Sequence, residues 1–362
     1  MKYPRITAKA PGKLILLGEY AVLEGAPALV TAIDRFCTVS IRRNGHSVFG
    51  LESRNLDMPT LTFHLDESGR VKLAGGSPFA SQKQTGFLVE VINYVASRYE
   101  GTIPGAYISI DSGDFYHQTS GNKFGLGSSA ALTVALIRAM NELMGKTTSS
   151  ELLFSEAIKA HRAGQGRLGS GVDVAASAAG GVIAYRMPKS EEDIPDSIRR
   201  YSWPEGLYMT VVWTGNSAST RFMLEKVKLF RQHSSDLYDG LLENMAEVAT
   251  EGCEAFAAGD ATRFTKVVPR YLEQEERLGA ACGIDIISPS HRNLKDLITR
   301  AGGVYKPSGA GGGDIGVAFT DNEEIHTGIR KLLQQSPYQI LDIEVEPAEH
   351  PYGIYTDAGT AE

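Results

Sequence analysis

Cysteine is scarce: Cys37, Cys253 and Cys282 are the three in 362 residues. An odd, widely spaced set without Cys-x-x-Cys spacing excludes a disulfide framework and a cysteine zinc site, and points to reduced thiols in a cytoplasmic protein. Each suits a small buried residue better than a nucleophile. No apolar run approaches the ~18 residues of a membrane span. The opening Met1-Lys2-Tyr3-Pro4-Arg5 is not followed by the apolar stretch of a secretory signal. Basic charge is not in excess: 36 Lys and Arg stand against 43 Asp and Glu, a net charge of −7. That balance excludes a nucleic-acid binder that depends on a broad basic surface. Also missing are a Lys-Ser/Thr pair behind the glycines, as a Walker A loop needs, a Gly-x-Ser-x-Gly elbow, a zinc cluster and an internal repeat. The eight histidines make no case for a Ser/His/Asp triad.

What remains is an ordinary globular composition, 42% hydrophobic and 22% charged, in a chain long enough for about two domains. Glycine is gathered into loops. In Gly121-Asn-Lys-Phe-Gly-Leu-Gly-Ser-Ser-Ala-Ala131 the glycines permit tight turns and close approach to a ligand. Behind them Leu132, Ala135, Leu136, Ala139, Met140 and Leu143 recur at helical spacing, so a helix is expected over 128–144. A glycine loop opening a helix turns free N–H groups and the positive end of the helix dipole toward one spot, which suits phosphate. Alone, such a loop is as easily a tight-packing turn.

Its company changes the reading. Residues 5–10 alternate as a strand, Pro11 and Gly12 break it, and a buried run 13–18 follows with Lys13 at its mouth. A lysine there is costly unless it serves something, the plain alternative being a snorkelling strand-end side chain. Strands are expected within 28–42, 46–74 and 106–111, and a helix over 85–99. A helix over 151–164 leads to Gln165-Gly-Arg-Leu-Gly-Ser-Gly-Val-Asp173, which delivers Asp173 to the head of a small-residue helix, as a cap, a catalyst or both. Residues 188–200 look like a linker or insertion. Later come a strand over 208–213, helices through 221–279 broken near Gly259-Asp260, a helix over 288–301, a third glycine loop at 304–314, a strand over 315–319, a helix over 323–334 and a closing edge strand from 339. Phosphoryl transfer needs alignment and neutralisation of spreading charge more than covalent help. Glycine amides, a lysine, a carboxylate and metal-binding hydroxyls supply that.

Three motifs in order carry a family resemblance. Pro11-Gly-Lys-Leu-Ile-Leu-Leu-Gly-Glu-Tyr20, Gly125-Leu-Gly-Ser-Ser-Ala-Ala131 and Ser308-Gly-Ala-Gly-Gly-Gly-Asp314 resemble the three motifs of the GHMP kinase superfamily, which includes galactokinase, homoserine kinase, mevalonate kinase and phosphomevalonate kinase. The resemblance runs from near residue 8 to near 319. It is strongest to the phosphomevalonate-kinase branch, on Tyr20 after Gly18-Glu19, on the segment 165–177, on Trp213-Thr-Gly-Asn-Ser-Ala-Ser-Thr220 and on Lys306-Pro-Ser-Gly-Ala-Gly-Gly-Gly-Asp-Ile-Gly-Val-Ala318.

That resemblance implies a two-domain α+β fold: residues 1–205 as a ribosomal-protein-S5-domain-2-like ATP-binding domain, and residues 206–362 as a ferredoxin-like domain. It implies transfer of the γ-phosphoryl of ATP, with Mg²⁺, to 5-phosphomevalonate. The partners are then small molecules, with no nucleic acid and no membrane; a homodimer is compatible with it. Lys13 and Asp173 are the implied catalytic pair. Asn122, Lys123, Gly125, Leu126, Gly127, Ser128, Ser129 and Ala130 would hold the nucleotide, with Ser129 on the metal. Glu19, Tyr20, Ser217, Ser219, Thr220, Ser308, Gly309, Ala310 and Gly311 would line the acceptor side. Because a phosphate acceptor is mostly ionised near neutral pH, Asp173 is expected to orient and stabilise more than to remove a proton. Arg162 falls near where mevalonate kinases carry a metal-binding glutamate, leaving Glu156 as a weak second metal contact. Lys83, Arg35, His161 and Arg221 are candidate cations for the acceptor phosphate. Rival readings are mevalonate kinase, a mevalonate-diphosphate decarboxylase, which generally lacks the lysine of the first motif, and a catalytically silent ligand sensor.

Overall fold

The computed structural model describes residues 3–55, 60–74, 83–99, 103–165, 169–190, 194–346 and 355–357. The strands are β1 (Arg5–Leu17), β2 (Ala28–Arg43), β3 (Val48–Ser53), β4 (Leu61–Leu65), β5 (Val71–Leu73), β6 (Ala106–Asp111), β7 (Val182–Tyr185), β8 (Ile198–Tyr201), β9 (Tyr208–Trp213), β10 (Val304–Ser308), β11 (Ile315–Thr320), β12 (Gln339–Leu341) and β13 (Tyr355–Asp357). The helices are α1 (Lys83–Ala96), α2 (Ser128–Leu143), α3 (Ser150–Gln165), α4 (Val172–Ala179), α5 (Thr220–His233), α6 (Ser235–Ala257), α7 (Ala261–Cys282), α8 (Pro289–Arg300) and α9 (Glu323–Gln334).

These build two sheets. The first runs β13-β1-β2-β6-β3-β4-β5, with β7 pairing β2 and β8 pairing β7; the second runs β10-β11-β9-β12 and is antiparallel throughout. The α+β class expected of the sequence is borne out. In the first sheet β2 pairs β1 along its length, then divides its other edge: Ala28–Thr31 pairs β7 and Thr38–Arg43 pairs β6. Helix α2 packs on β1 and β2, with α3 and α4 beside it. It is buried on nearly every side, through Ala130, Ala131, Val134, Ala135, Leu136 and Ala139. A helix apolar all round belongs in a core. Among the described residues, no helix is long and apolar enough to cross a membrane.

Pro11 and Gly12 do not end β1. The ladder with β2 shifts register between them and continues. Proline lacks the N–H that a ladder would use, so a bulge is where a strand tolerates it. The bulge turns β1 against the first glycine loop: Lys13 N donates to Leu126 O at 2.9 Å. A Cβ on Gly12 would lie 2.7 Å from Leu126 O, so only glycine permits that approach.

The second sheet begins with β9, and the chain then returns. Glu346 N donates to Ala32 O at 3.0 Å, Gly181 N to Glu346 O at 3.1 Å, and Asp34 N to Glu344 O at 3.1 Å. Strand β13 pairs the start of β1. The linker expected at 188–200 contributes β8 to the first sheet; its residues 191–193 lie outside the described residues.

Candidate active site

Two helices open at one place. Gly127 precedes α2 with φ +84° and Gly171 precedes α4 with φ +86°, left-handed turns that glycine takes without strain. Lys13 arrives on β1, 7% exposed, with Nζ 3.3 Å from Gly125 O. Asp173 arrives in the first turn of α4. The two meet at Gly127: a Cβ there would lie 3.0 Å from Lys13 Cγ and 3.7 Å from Asp173 Cβ. Burial lowers the Lys13 pKa, while Asp173, then Glu19 and Asp314, pull it up. The result is a desolvated cation at two helix N-termini, with a carboxylate beside it. Such a place is prepared for anions and for charge that spreads over phosphoryl oxygens.

Gly127 leaves room for this pair, so Gly127→Ala is expected to cost about 1–2 kcal/mol of stability through its left-handed backbone. By displacing Lys13 it should lower kcat by about 10²-fold. Thermal melts and steady-state turnover on the same preparation check both, and turnover within about twofold of the parent would contradict crowding of Lys13 at this position.

The rest of the expected nucleotide segment lies around the pair. Leu126 is buried and Ala130 is a core residue of α2. Ser128 and Ser129 form the first turn of α2. Asn122 O accepts from His117 N at 2.8 Å, and Lys123 Nζ lies 5.5 Å over the Tyr116 ring. Ser129 Oγ is 3.2 Å from His161 Nε2 and accepts from Gln165 Nε2 at 3.2 Å. Burial lowers the His161 pKa, with Asp173 opposing, so the ring leans to neutral and can accept the serine proton. That leaves a hydroxyl oxygen open to a cation. Among the described residues no group of three His, Cys, Asp or Glu side chains could hold a metal by itself. A single hard oxygen fits Mg²⁺ held mainly by nucleotide and water. Glu156 faces away, toward Asn141 Nδ2 at 3.3 Å and Arg98 at 3.7 Å.

On the acceptor side, several residues shape the third loop from behind. Ser308 Oγ accepts from Ile15 N at 3.0 Å. Gly309 N donates to Glu19 Oε1 at 3.2 Å, and Tyr20 OH donates to Ala310 O at 2.5 Å. A Cβ on Gly311 would lie 2.3 Å from Ile286 O. Glu19 and Tyr20 are 3% and 4% exposed, so they brace the loop more than they line an open pocket. Ser219 caps α5 by accepting from Phe222 N at 3.3 Å, and Thr220 opens that helix. Ser217 is exposed and donates to Lys123 O at 3.4 Å, across the gap between the two sheets' loops. Of the candidate cations, Arg35 pairs with Asp34 and Arg221 with Glu225. His161 sits at Ser129, and the side chain of Lys83 lies outside the described residues.

Three charged or polar groups were not singled out from sequence. Lys306 is fully buried, 2.5 Å from Glu19 Oε1 and 3.8 Å from Glu275 Oε1. His291 holds Gly313 O at 2.9 Å. Asp314 ends the third loop against Gly125. The lysine stands in a quoted motif, and the aspartate is the one side chain following three glycines; both were visible signals.

Known proteins resemble this chain over most of its length. The family model described as GHMP kinases N terminal domain matches residues 86–181. A phosphomevalonate kinase of Streptomyces sp. (strain CL190) is 30% identical over 345 residues, 88% of this chain and 90% of that protein. A mevalonate kinase of Aeropyrum pernix is 28% identical over 333 residues, 91% of this chain and 93% of that protein. The crystal structure of a Lin0012 protein from Listeria innocua superposes with a TM-score of 0.83 at 26% identity, covering 98% of this chain and all of that one. With an anion cradle at two helix starts, a lysine and aspartate converging on it, and near full-length kinase relatives, the chain belongs to the GHMP kinases as an ATP-dependent enzyme.

Proposed function

We propose that the enzyme transfers the γ-phosphoryl group of ATP to the phosphate of 5-phosphomevalonate, giving 5-diphosphomevalonate and ADP. The observation that carries the chemistry is the meeting of Lys13 and Asp173 at Gly127, where the first glycine loop opens α2. The acceptor assignment is supported by the Streptomyces phosphomevalonate kinase, with the Aeropyrum pernix mevalonate kinase close behind in identity.

In this reading an oxygen of the acceptor phosphate attacks the γ-phosphorus, and the bond from that phosphorus to the β,γ-bridging oxygen breaks. ADP leaves with that bonding pair. Lys13 lies between donor and acceptor and stabilises the charge carried on the transferred oxygens. Asp173 holds Lys13 and orients the acceptor. An ionised phosphate has no tightly held proton to remove, so strong base catalysis is not required of Asp173. Ser129 would hold Mg²⁺, which would supply neutralisation of phosphate charge. Ser217, an exposed hydroxyl beside the loop of Lys123, would meet the acceptor.

The deciding measurement is ADP release with Mg-ATP and, separately, phosphomevalonate, mevalonate and mevalonate diphosphate. Turnover is expected with phosphomevalonate. Turnover confined to mevalonate would replace this assignment with mevalonate kinase, and ATP binding without turnover on any of the three would favour a ligand sensor.

A further inference from the structure

Asp314 ends the third glycine loop and takes no part in the transfer step. Three glycines precede it, yet its own backbone is left-handed, φ +57°. Aspartate is one of the few side chains that visit that region, and then only at isolated positions. The peptide is held from both sides. Asp314 N donates to Asn216 O at 2.6 Å, and Asp314 O accepts from Thr214 N at 2.9 Å and from the Thr214 hydroxyl at 3.1 Å. The preceding carbonyl, Gly313 O, is 2.9 Å from His291 Nε2, whose Nδ1 lies 2.7 Å from Tyr305 OH. A carbonyl can only accept, so His291 carries its proton on Nε2 and receives the tyrosine proton at Nδ1. Burial pushes that histidine to about 4, and it is neutral. A residue in an uncommon backbone conformation, fixed by so many neighbours, marks a side chain that is held in one place.

The place is the seam between two anion-cradling loops. Ala218 N donates to Asp314 Oδ1 at 3.2 Å. A Cβ on Gly125 would lie 2.8 Å from Asp314 Cβ, Cγ and Oδ2, so the carboxyl group rests directly on the loop that opens α2. Burial raises the Asp314 pKa to about 6, with the Ala218 N–H and Lys13 opposing. Lys13 on β1 is the charge that faces it. Asp173 on α4, Glu19 after β1 and Lys306 on β10 act on that lysine in turn. Lys123, in the same loop as Gly125, lies over the Tyr116 ring, and His291 on α8 carries no charge.

We propose that Asp314 is a positioning residue whose carboxyl group clasps the loop at 125–127 to the loop at 308–314 and takes up a proton from solvent when the phosphates of a nucleotide enter the cleft. The cleft already sets Asp173 and Glu19 against Lys13. Adding phosphates beside an ionised Asp314 places like charges together in a poorly solvated space, which favours the neutral acid. The neutral acid still accepts from Ala218 N and gains an O–H that a phosphate oxygen can accept. The inference rests on the cleft binding a nucleotide and holds whichever acceptor the enzyme uses.

Calorimetric titration of the whole enzyme with Mg-AMP-PNP, in buffers of different ionisation enthalpy, counts protons taken up on binding. The wild type is expected to take up more than Asp314→Asn at pH 7.5. The sign follows from linkage: the acid is ionised in the free enzyme above about pH 6 and must be neutralised on binding. Asp314→Asn therefore binds AMP-PNP about a hundredfold tighter than wild type at pH 8, and the two come within about twofold of each other near pH 6. Asp314→Gly relieves the backbone but deletes the clasp; its kcat is expected to fall about tenfold or more below that of Asp314→Asn, with KM for ATP changing less. Equal proton uptake by wild type and the asparagine variant overturns the proposal, as does a glycine variant that turns over as fast as the asparagine one. No binding of AMP-PNP by the wild type overturns it together with the nucleotide reading, whereas binding without those differences overturns the clasp alone.

Discussion

Replacing Lys13 with methionine is expected to lower kcat by on the order of 10³-fold while the protein still folds. The ammonium group matters most when charge moves from the γ-phosphoryl group toward the departing ADP oxygens. An interaction that strengthens in the transition state appears in kcat more than in KM. Burial makes the effect large, because Lys13 is desolvated and its field is weakly screened. Methionine keeps the aliphatic stem beneath Gly127 without a charge. The structural penalty is limited, because Glu19 retains Lys306 as its cation. Steady-state kinetics with varied Mg-ATP, together with a thermal melt, separate the two effects. A folded Lys13→Met enzyme with near-normal kcat would remove the lysine from the mechanism.

Lys306→Met is expected to act on stability, destabilising the protein by about 3–5 kcal/mol. Lys306 has no exposed surface, contacts Glu19 at 2.5 Å and lies 5.8 Å over the Tyr271 ring. Without it the buried Glu19 carboxylate keeps the Gly309 N–H but loses its cation. Glu275 suffers less. Its pKa is raised, by burial first, with Lys306 opposing and Glu19 adding to the rise, so it leans to the neutral acid even in the intact protein. A buried ion pair is costly to break and often cheap to replace as a whole. Adding Glu19→Gln to Lys306→Met should therefore recover much of the loss in urea unfolding. If the double variant is no more stable than Lys306→Met alone, the ion pair is not the source of the cost.

Much of the candidate site was legible because its residues are local in sequence. Lys13, the loop 125–131 and Asp173 sit in motifs whose glycines are needed where those backbones approach each other. The helices expected over 128–144, 151–164 and 323–334 stand at 128–143, 150–165 and 323–334, the first legible in its apolar spacing. Strand β1 was harder: Pro11 and Gly12 read as a break, since a bulge looks like a stop until its partner strand is known. Strand β10 was hidden in the third glycine loop, because Pro307 argues against a strand unless it lies at a sheet edge, as it does. The hydroxyls of Ser308, Ser219 and Tyr20 look alike as ligands in a sequence, yet here they meet a strand N–H, a helix N–H and a loop carbonyl. Lys306 was unreadable as a buried charge, since its counter-ions come from residues 19 and 275. Such partners are set by tertiary packing alone.

The return of residues 344–346 to Ala32, Asp34 and Gly181 means that the chain passes between the sheets twice, once before Tyr208 and once after Leu341. A single tether would let one half swivel or drift from the other. Two separated crossings, together with the hydrogen bonds that Ser308, Gly309 and Ala310 make to Ile15, Glu19 and Tyr20, oppose both movements. Gly125 and Asp314, in contact across that seam, are thus kept in line from both ends of the chain.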